Sequence, residues 1–336
     1  MSDLLLDIQN LRVSLPTDRG MLNAVRGIDL QIGRGDTLCL VGESGCGKSL
    51  TAMAIMGLLP RYAKVTADRF EMVGHDLTGK GRARLPQMRG REVAMIFQDP
   101  TSSLNPTLTV GRQLTEGVMR TERLSRSDAD KRAAEMLERV GISNPTARLT
   151  QYPHTFSGGQ RQRIMIASAL MGRPRLLIAD EPTTALDVTI QAQILAVLAE
   201  LQSDLGLSLM LITHDLGVVA AIATDVAVMY AGRIAELAPA RDLFAAPGHP
   251  YTQGLLRAIP VPGKTERGTP LPAIPGRVPG LIGTLRGCAF RDRCALAGPE
   301  CAADPVPRLA RPPAGFVECY KAVQADGQTS QAKAKT

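Results

Sequence analysis

At 336 residues the chain is long enough for one large α/β domain with an appendage, or for two domains. Its hydrophobic content of 44% is that of an ordinary globular protein, and the most apolar segment, Leu216 to Thr224, is too short to span a bilayer and is shut between Asp215 and Asp225. The formal charge of +7 is scattered and aromatics make up only 3%, which leaves few stacking platforms for bases and excludes nucleic acid from the expected partners.

The N-terminus carries Asp3 and Asp7 and no basic run, so no signal peptide is expected and the chain reads as cytosolic. Two apolar alternations, residues 6 to 13 and 25 to 32, flank the polar turn Pro16 to Gly20 and predict antiparallel strands. The apolar run 37 to 41 then leads into Gly42-Glu43-Ser44-Gly45-Cys46-Gly47-Lys48-Ser49, followed by a helix-like stretch from Leu50 to Met56. Strand, glycine loop and helix start form the setting that the phosphate-cradling pattern G-x-x-x-x-G-K-[ST] requires. Glycines let backbone N–H groups approach phosphate oxygens at the positive end of a helix. Lys48 would reach the β and γ phosphates of ATP, and Ser49 would offer its hydroxyl to Mg²⁺. Cys39 and Cys46, in that strand and loop, read as small buried residues.

Residues 92 to 98 predict the next strand, ended by Asp99-Pro100. From there to Gly172 the pattern is helical, with one helix over residues 128 to 140 and a second opening at Ser157. Strands return at 175 to 180, 207 to 213 and 226 to 230, with a helix from Asp187 whose Ile190, Ile194, Val197, Leu198, Leu201 and Leu205 recur at helical spacing. This alternation predicts a parallel sheet covered on both faces. Prolines crowd Pro247 to Pro313, and a domain boundary is expected near Pro239 to Pro262.

The run Leu176 to Glu181 delivers two carboxylates at a strand's C-terminal end, where ligands of open α/β sheets bind. Strand alternation would send them different ways, so Asp180 is expected to serve Mg²⁺ and Glu181 to polarise the attacking water. In Ser157-Gly158-Gly159-Gln160-Arg161, Ser157 suits an N-cap and the two glycines leave the first turn's N–H groups bare, a second anion-binding helix end.

Together these stretches resemble the ATP-binding subunit of an ABC transporter, with an antiparallel β subdomain, a helical subdomain over about residues 99–172 and an ABC-type P-loop ATPase core within residues 1–245. The resemblance is carried by Gly42 to Ser49, Gln98 after its strand, Ser157 to Arg161, Leu176 to Glu181, Ala185-Leu186-Asp187, and His214 after its strand. It implies that Gln98 couples Mg²⁺ and the water to the membrane subunits and that His214 contacts the γ-phosphate. Leu50 would line the nucleotide with the glycine loop, while Ser157, Gly158, Gly159, Gln160 and Asp187 would serve the ATP of a second subunit in trans. Two departures stand out: Phe156 replaces the usual Leu before the signature, and Leu15 holds the place of the aromatic on which the family stacks adenine.

Residues 246–322 are similar to the tail of the oligopeptide and dipeptide import branch, through 248 to 256, 274 to 279 and 287 to 294, as is Thr101 to Pro106 after the glutamine loop. Nickel and glutathione importers share that tail. The implied function is the ATPase subunit of an importer at the cytoplasmic face of the inner membrane. Its partners would be a second ATPase subunit (copy or paralogue), two permease subunits and an extracytoplasmic solute-binding protein. A soluble ABC ATPase acting on ribosomes or DNA would commonly carry two cassettes or a coiled-coil insertion, and the sequence has neither. Residues 323–336 read as a disordered tail.

Cys288, Cys294, Cys301 and Cys319 follow the spacing C-x₅-C-x₆-C-x₁₇-C. Two disulfides are not expected in a reducing cytosol, and a region with little core of its own would gain order from a metal centre. Four thiolates suit zinc or an iron–sulfur cluster, and the spacing matches neither common template. The resemblance, some of whose members hold a [4Fe-4S] cluster here, implies iron–sulfur, with zinc or free cysteines as the alternatives. Far along the chain from Lys48 and Glu181, the four are expected to act structurally or in regulation.

Overall fold

The computed structural model describes residues 4–184, 187–259, 272–312 and 314–322. Strands β1 (Leu4–Thr17), β2 (Gly20–Gly33) and β3 (Thr37–Val41) precede helix α1 (Lys48–Met56). Short strands β4 (Lys64–Thr66), β5 (Arg69–Met72) and β6 (His75–Asp76) and helix α2 (Leu85–Met88) lead to β7 (Val93–Ile96). Helices α3 (Pro100–Ser103), α4 (Val110–Glu122), α5 (Arg126–Arg139), α6 (Pro145–Arg148) and α7 (Gly158–Leu170) follow. Next come β8 (Leu176–Asp180), α8 (Val188–Leu205), β9 (Ser208–Thr213), α9 (Leu216–Ile222), β10 (Asp225–Tyr230) and β11 (Arg233–Pro239). The last elements are α10 (Ala240–Ala245), α11 (Pro250–Arg257), β12 (Arg308–Ala310) and β13 (Phe316–Glu318). Among the described residues no helix is long and apolar enough to cross a membrane.

The chain forms two compact units, one of residues 4–6, 31–36 and 71–212, the other of residues 7–30, 37–70 and 213–322. In the first, β7, β8 and β9 run parallel, with Ile178 opposite Met95 and Met210. Every residue of these strands is buried, as expected of strands covered on both faces. Helices α4, α5 and α7 pack on one another. Each begins on a side-chain cap, Thr109, Ser125 and Ser157, whose oxygens accept the orphan N–H groups of the first turn. Ser125 starts α5 before Asp128, and Ala133, Met136 and Leu137 form its buried face as the spacing predicts.

In the second unit β3 and β10 are parallel, but β10 and β11 are antiparallel, as are β11 with β13 and β12 with β13. The expected strands 175–180, 207–213 and 226–230 thus form as β8, β9 and β10 with parallel neighbours, and the antiparallel additions are β11 to β13, which the sequence did not single out. Ala231 (φ 45°) and Gly232 (φ 80°) turn the chain back in two residues, a geometry that yields a hairpin and leaves no room for a crossover. The expected strands near the N-terminus form as β1 and β2, longer than the alternation suggested, and β1 also pairs antiparallel with β4, Val13 opposite Val65.

The proline-rich tail belongs to this second unit. Its order comes from interlocking aromatics and ion pairs. Tyr230, Tyr251 and Phe290 stack with ring centroids 4.6 to 5.3 Å apart, and His249 lies 5.9 Å from Phe290. Glu236, fully buried, accepts hydrogen bonds from the N–H groups of Gly248 and His249 (2.8 and 2.9 Å) and pairs with Arg311. Glu318 pairs with Arg233, and Arg308 lies 4.0 Å over the Phe316 ring. The tail, expected to have little core of its own, is ordered largely against Tyr230, Arg233 and Glu236 of β10 and β11, contacts that aromatics spread over about 60 residues of sequence announce by no periodic trace. The expected tail 323–336 lies outside the described residues.

Candidate functional site

The glycine loop sits between buried β3 and α1, whose N-cap is Gly47 at φ 111°. A Cβ on Gly42 would lie 2.2 Å from the carbonyl oxygen of Met229, and one on Gly47 would lie 2.5 Å from that of Ala24, so both positions require glycine for close approach. A Cβ on Gly45 (φ 80°) would meet nothing within 4 Å, so this position needs glycine for its backbone angle alone. The loop curls around Lys48, which is 5% exposed. Its Nζ donates to the carbonyl oxygens of Gly42 (2.7 Å) and Glu43 (3.1 Å), with Cys46 Sγ at 3.9 Å. Among the described residues no carboxylate faces this ammonium. A buried cation satisfied only by carbonyls is strongly favoured by an incoming anion, which is the charge balance a triphosphate supplies. Ser44 and Gly45 are exposed, and Ser49 and Leu50 are half-buried at the start of α1. Cys39 and Cys46 are fully buried, and burial pushes the Cys39 thiol up to about 12.

In the other unit, β8 ends at Asp180, which is buried. Glu181 follows at φ 45°, outside the strand, and its N–H donates to the Ile212 carbonyl (2.9 Å). A left-handed turn, rather than strand alternation, therefore sets the direction of this side chain. That correction reflects local strain of the kind found where a reactive group is held. Gln98 Nε2 donates to Glu181 Oε2 (3.3 Å), and the Thr184 hydroxyl donates to the same oxygen (2.8 Å). Gln98 and Glu181, 83 residues apart in sequence, are thus brought together. Thr184 is a partner that the sequence did not single out.

Ser157 caps α7 as expected, with a reciprocal bond from its own N–H to the Gln160 side chain (3.0 Å). A Cβ on Gly159 would lie 2.9 Å from Cγ2 of Ile190, so this helix end abuts the start of α8. Asp187 caps α8 by accepting from the Ile190 N–H (2.9 Å). Ala185 and Leu186 lie outside the described residues. His214 is exposed just after β9, where Asp215 caps α9. Leu15 is half-buried, and Tyr62 is 65% exposed.

The four tail cysteines share one corner of the second unit. The N–H of Cys288 donates to the Cys301 carbonyl (2.8 Å). Burial first, with a smaller contribution from the neighbouring thiols, pushes the Cys288 thiol up to about 11 and the Cys319 thiol up to about 12. Cys294 is shifted upward chiefly by burial. Among the described residues no three His, Cys, Asp or Glu side chains converge as the ligands of one metal ion would. Arg293, between Cys288 and Cys294, forms a two-pronged ion pair with Glu43 of the glycine loop, and the Glu43 carboxylate holds that guanidinium above its ordinary value. Tyr251 adds a second link, its hydroxyl accepting the Glu43 N–H (2.9 Å). Both residues stand within stretches singled out in the sequence, but nothing in their spacing gives the pairing.

Residues 25–184 match the ABC transporter family, and residues 235–301 match the oligopeptide/dipeptide transporter C-terminal region. The chain is 52% identical over 290 residues to the dipeptide transport ATP-binding protein DppD of Bacillus subtilis, covering 86% of each. It is 49% identical over 299 residues to the oligopeptide transport ATP-binding protein OppD of the same organism, covering 87% of this chain and 82% of that one. Among solved structures it is similar to cbiO1 of Clostridium perfringens, part of an ABC transporter complex, with TM-score 0.59, 29% identity and coverage of 73% and 92%. It is also similar to a dimeric ATP-binding cassette in a post-hydrolysis state bound to ADP and Pi, with TM-score 0.61, 25% identity and coverage of 70% and 99%. Sharing about half of its residues with relatives that it matches over most of their length, the chain belongs to the ATP-binding subunits of ABC transporters, in the group that carries the oligopeptide and dipeptide transporter C-terminal region.

Proposed function

We propose that the chain drives import of dipeptides or oligopeptides, hydrolysing ATP at sites completed by a second ATPase subunit. The observation that carries the nucleotide site is Lys48, a buried ammonium wrapped by the glycine loop with no carboxylate against it among the described residues. The peptide substrate is supported by the peptide-transport names of the relatives and by the matched C-terminal region.

In this reading Lys48 and the N–H groups of the loop from Ser44 to Ser49 bind the phosphates, and Ser49, Asp180 and Gln98 hold Mg²⁺. The metal ion supplies charge neutralisation on the phosphate oxygens. Glu181 accepts a proton from the attacking water, its carboxylate oriented by Gln98 and Thr184. His214 meets the γ-phosphate. Ser157, Gly158, Gly159, Gln160 and Asp187 face the nucleotide of the opposite subunit, for which the bare first turn of α7 is suited. The remaining partners are two permease subunits and an extracytoplasmic solute-binding protein, and the chain lies peripherally on the cytoplasmic face of the membrane.

Cys288, Cys294, Cys301 and Cys319 are assigned as ligands of a [4Fe-4S] cluster. The assignment rests on the four-thiol set in a tail of the oligopeptide/dipeptide transporter type, with zinc or free cysteines as the alternatives. Such a cluster would cross-link the tail.

Two measurements test the whole. Affinity isolation from membranes should recover two permease chains and a second ATPase, and recovery of ribosomes or DNA would refute the transport role. Mixing Lys48→Ala with Ser157→Ala protein should restore hydrolysis that neither shows alone. A dilute monomer as active as the concentrated protein would refute shared sites.

A further inference from the structure

Glu43 places a carboxylate, 30% exposed, in the loop that the reading above assigns to the triphosphate. Like charges this close repel by an amount that matters for binding, unless something cancels one of them. Arg293 does so from the tail. Its two terminal nitrogens donate to Oε2 and Oε1 of Glu43 at 2.6 and 2.9 Å, the two-pronged geometry that makes such pairs strong and directional.

The guanidinium is itself fixed. Its Nε donates to the Pro275 carbonyl (2.7 Å), and its terminal nitrogens also reach the Ile274 carbonyl and the Tyr230 hydroxyl, both at 3.3 Å. The side chain is 4% exposed, and the guanidinium carbon lies 5.8 and 5.9 Å from the Tyr230 and Phe290 ring centres. Meanwhile the Glu43 N–H is taken by Tyr251, so both the backbone and the side chain of this loop residue are held by the C-terminal region. A plain structural salt bridge could sit anywhere on the tail. This one ends on the second residue of the phosphate loop.

We propose that Arg293 is a positioning residue of the ATP reaction: it cancels the Glu43 charge beside the triphosphate and fixes the loop, so that the C-terminal region sets nucleotide affinity. The proposal rests on the assignment of the glycine loop to ATP and goes beyond it in naming what tunes that loop.

The test measures ATP binding to the full chain with a fluorescent analogue, at low and high salt, alongside KM and kcat. Arg293→Gln should weaken binding about ten-fold at low salt, with KM affected more than kcat. The loss should shrink in about 0.5 M salt, where repulsion between partly exposed charges is screened. Adding Glu43→Gln to Arg293→Gln should recover most of the loss, since no unpaired carboxylate then remains. Arg293→Lys, which keeps the charge without the fork, should bind more tightly than Arg293→Gln, and it carries the test if the glutamine variant does not fold. Parental affinity in Arg293→Gln, or a double variant as weak as the single, would overturn the proposal. Lys48→Ala separates the two readings. If the parent binds ATP and Lys48→Ala does not, the loop assignment stands whatever Arg293 does, and a parent that binds no ATP defeats that assignment instead.

Discussion

His249 makes the C-terminal region sensitive to acid, by an amount its surroundings set. The ring is 2% exposed, and its Nδ1 accepts the Tyr251 N–H at 2.9 Å, so the folded protein holds it as the neutral tautomer. Burial lowers its pKa from 6.5 to about 4. Between those values the unfolded chain binds the proton that the folded chain refuses, so stability is complete above pH 6.5 and drains away as the pH falls toward 4. A shift of that size corresponds to about 3 kcal/mol in full, of which somewhat under half is lost by pH 5.5. That is a substantial part of the roughly 5–15 kcal/mol by which domains are typically stable. Urea unfolding at pH 7.5 and pH 5.5 measures it, with His249→Gln as the comparison, because an amide can accept the same N–H without titrating. The glutamine variant is expected to start less stable and to lose less on acidification. Equal losses in the two proteins would refute the reasoning.

Three further outcomes are expected. Glu181→Gln should cut turnover by roughly 10²–10⁴-fold while ATP binding survives, and hydrolysis at the parental rate would remove Glu181 from its role. Gly47→Ala should abolish nucleotide binding, because its methyl would meet a backbone carbonyl at 2.5 Å, whereas Gly45→Ala meets nothing within 4 Å and should cost only the strain of its positive φ, about 1 kcal/mol in thermal unfolding. Equal effects of the two would contradict the loop geometry. Anaerobically purified protein should contain iron and acid-labile sulfide that Cys288→Ser lacks, and colourless protein with neither iron nor zinc would leave the cysteines as free thiols.

The parts legible in the sequence were those with short-range signals. The glycine loop follows its strand, the caps at Ser157 and Asp187 stand where the residue types place them, and α8 ends where Gly206 allows a left-handed cap. The strand end carrying Asp180 and Glu181 was also legible, although the bend at Glu181 was not, because a positive φ at a glutamate carries no compositional mark. Long-range pairings left still less trace. Nothing in Arg293 or Glu43 alone announces a bond across 250 residues, and the aromatic cluster of Tyr230, Tyr251 and Phe290 combines three elements without a shared period. The proline-rich composition of the tail concealed that it is held by side chains rather than by helices.

The end of the chain also closes the edge of β2. The Asn23 N–H donates to the Leu281 carbonyl (2.8 Å), the Gly283 N–H donates to the Met21 carbonyl (3.1 Å), and Leu22 bridges to Ile282. During synthesis β2 therefore waits for a segment made some 260 residues later. At about 5–20 residues per second that interval lasts roughly 13–50 s, during which the edge of β2 away from β1 is open to other nascent chains. Slowing translation should thus lengthen the period in which the chain depends on a holding chaperone, and the codons for Leu281 to Gly283 should matter more for soluble yield than their distance from the glycine loop suggests.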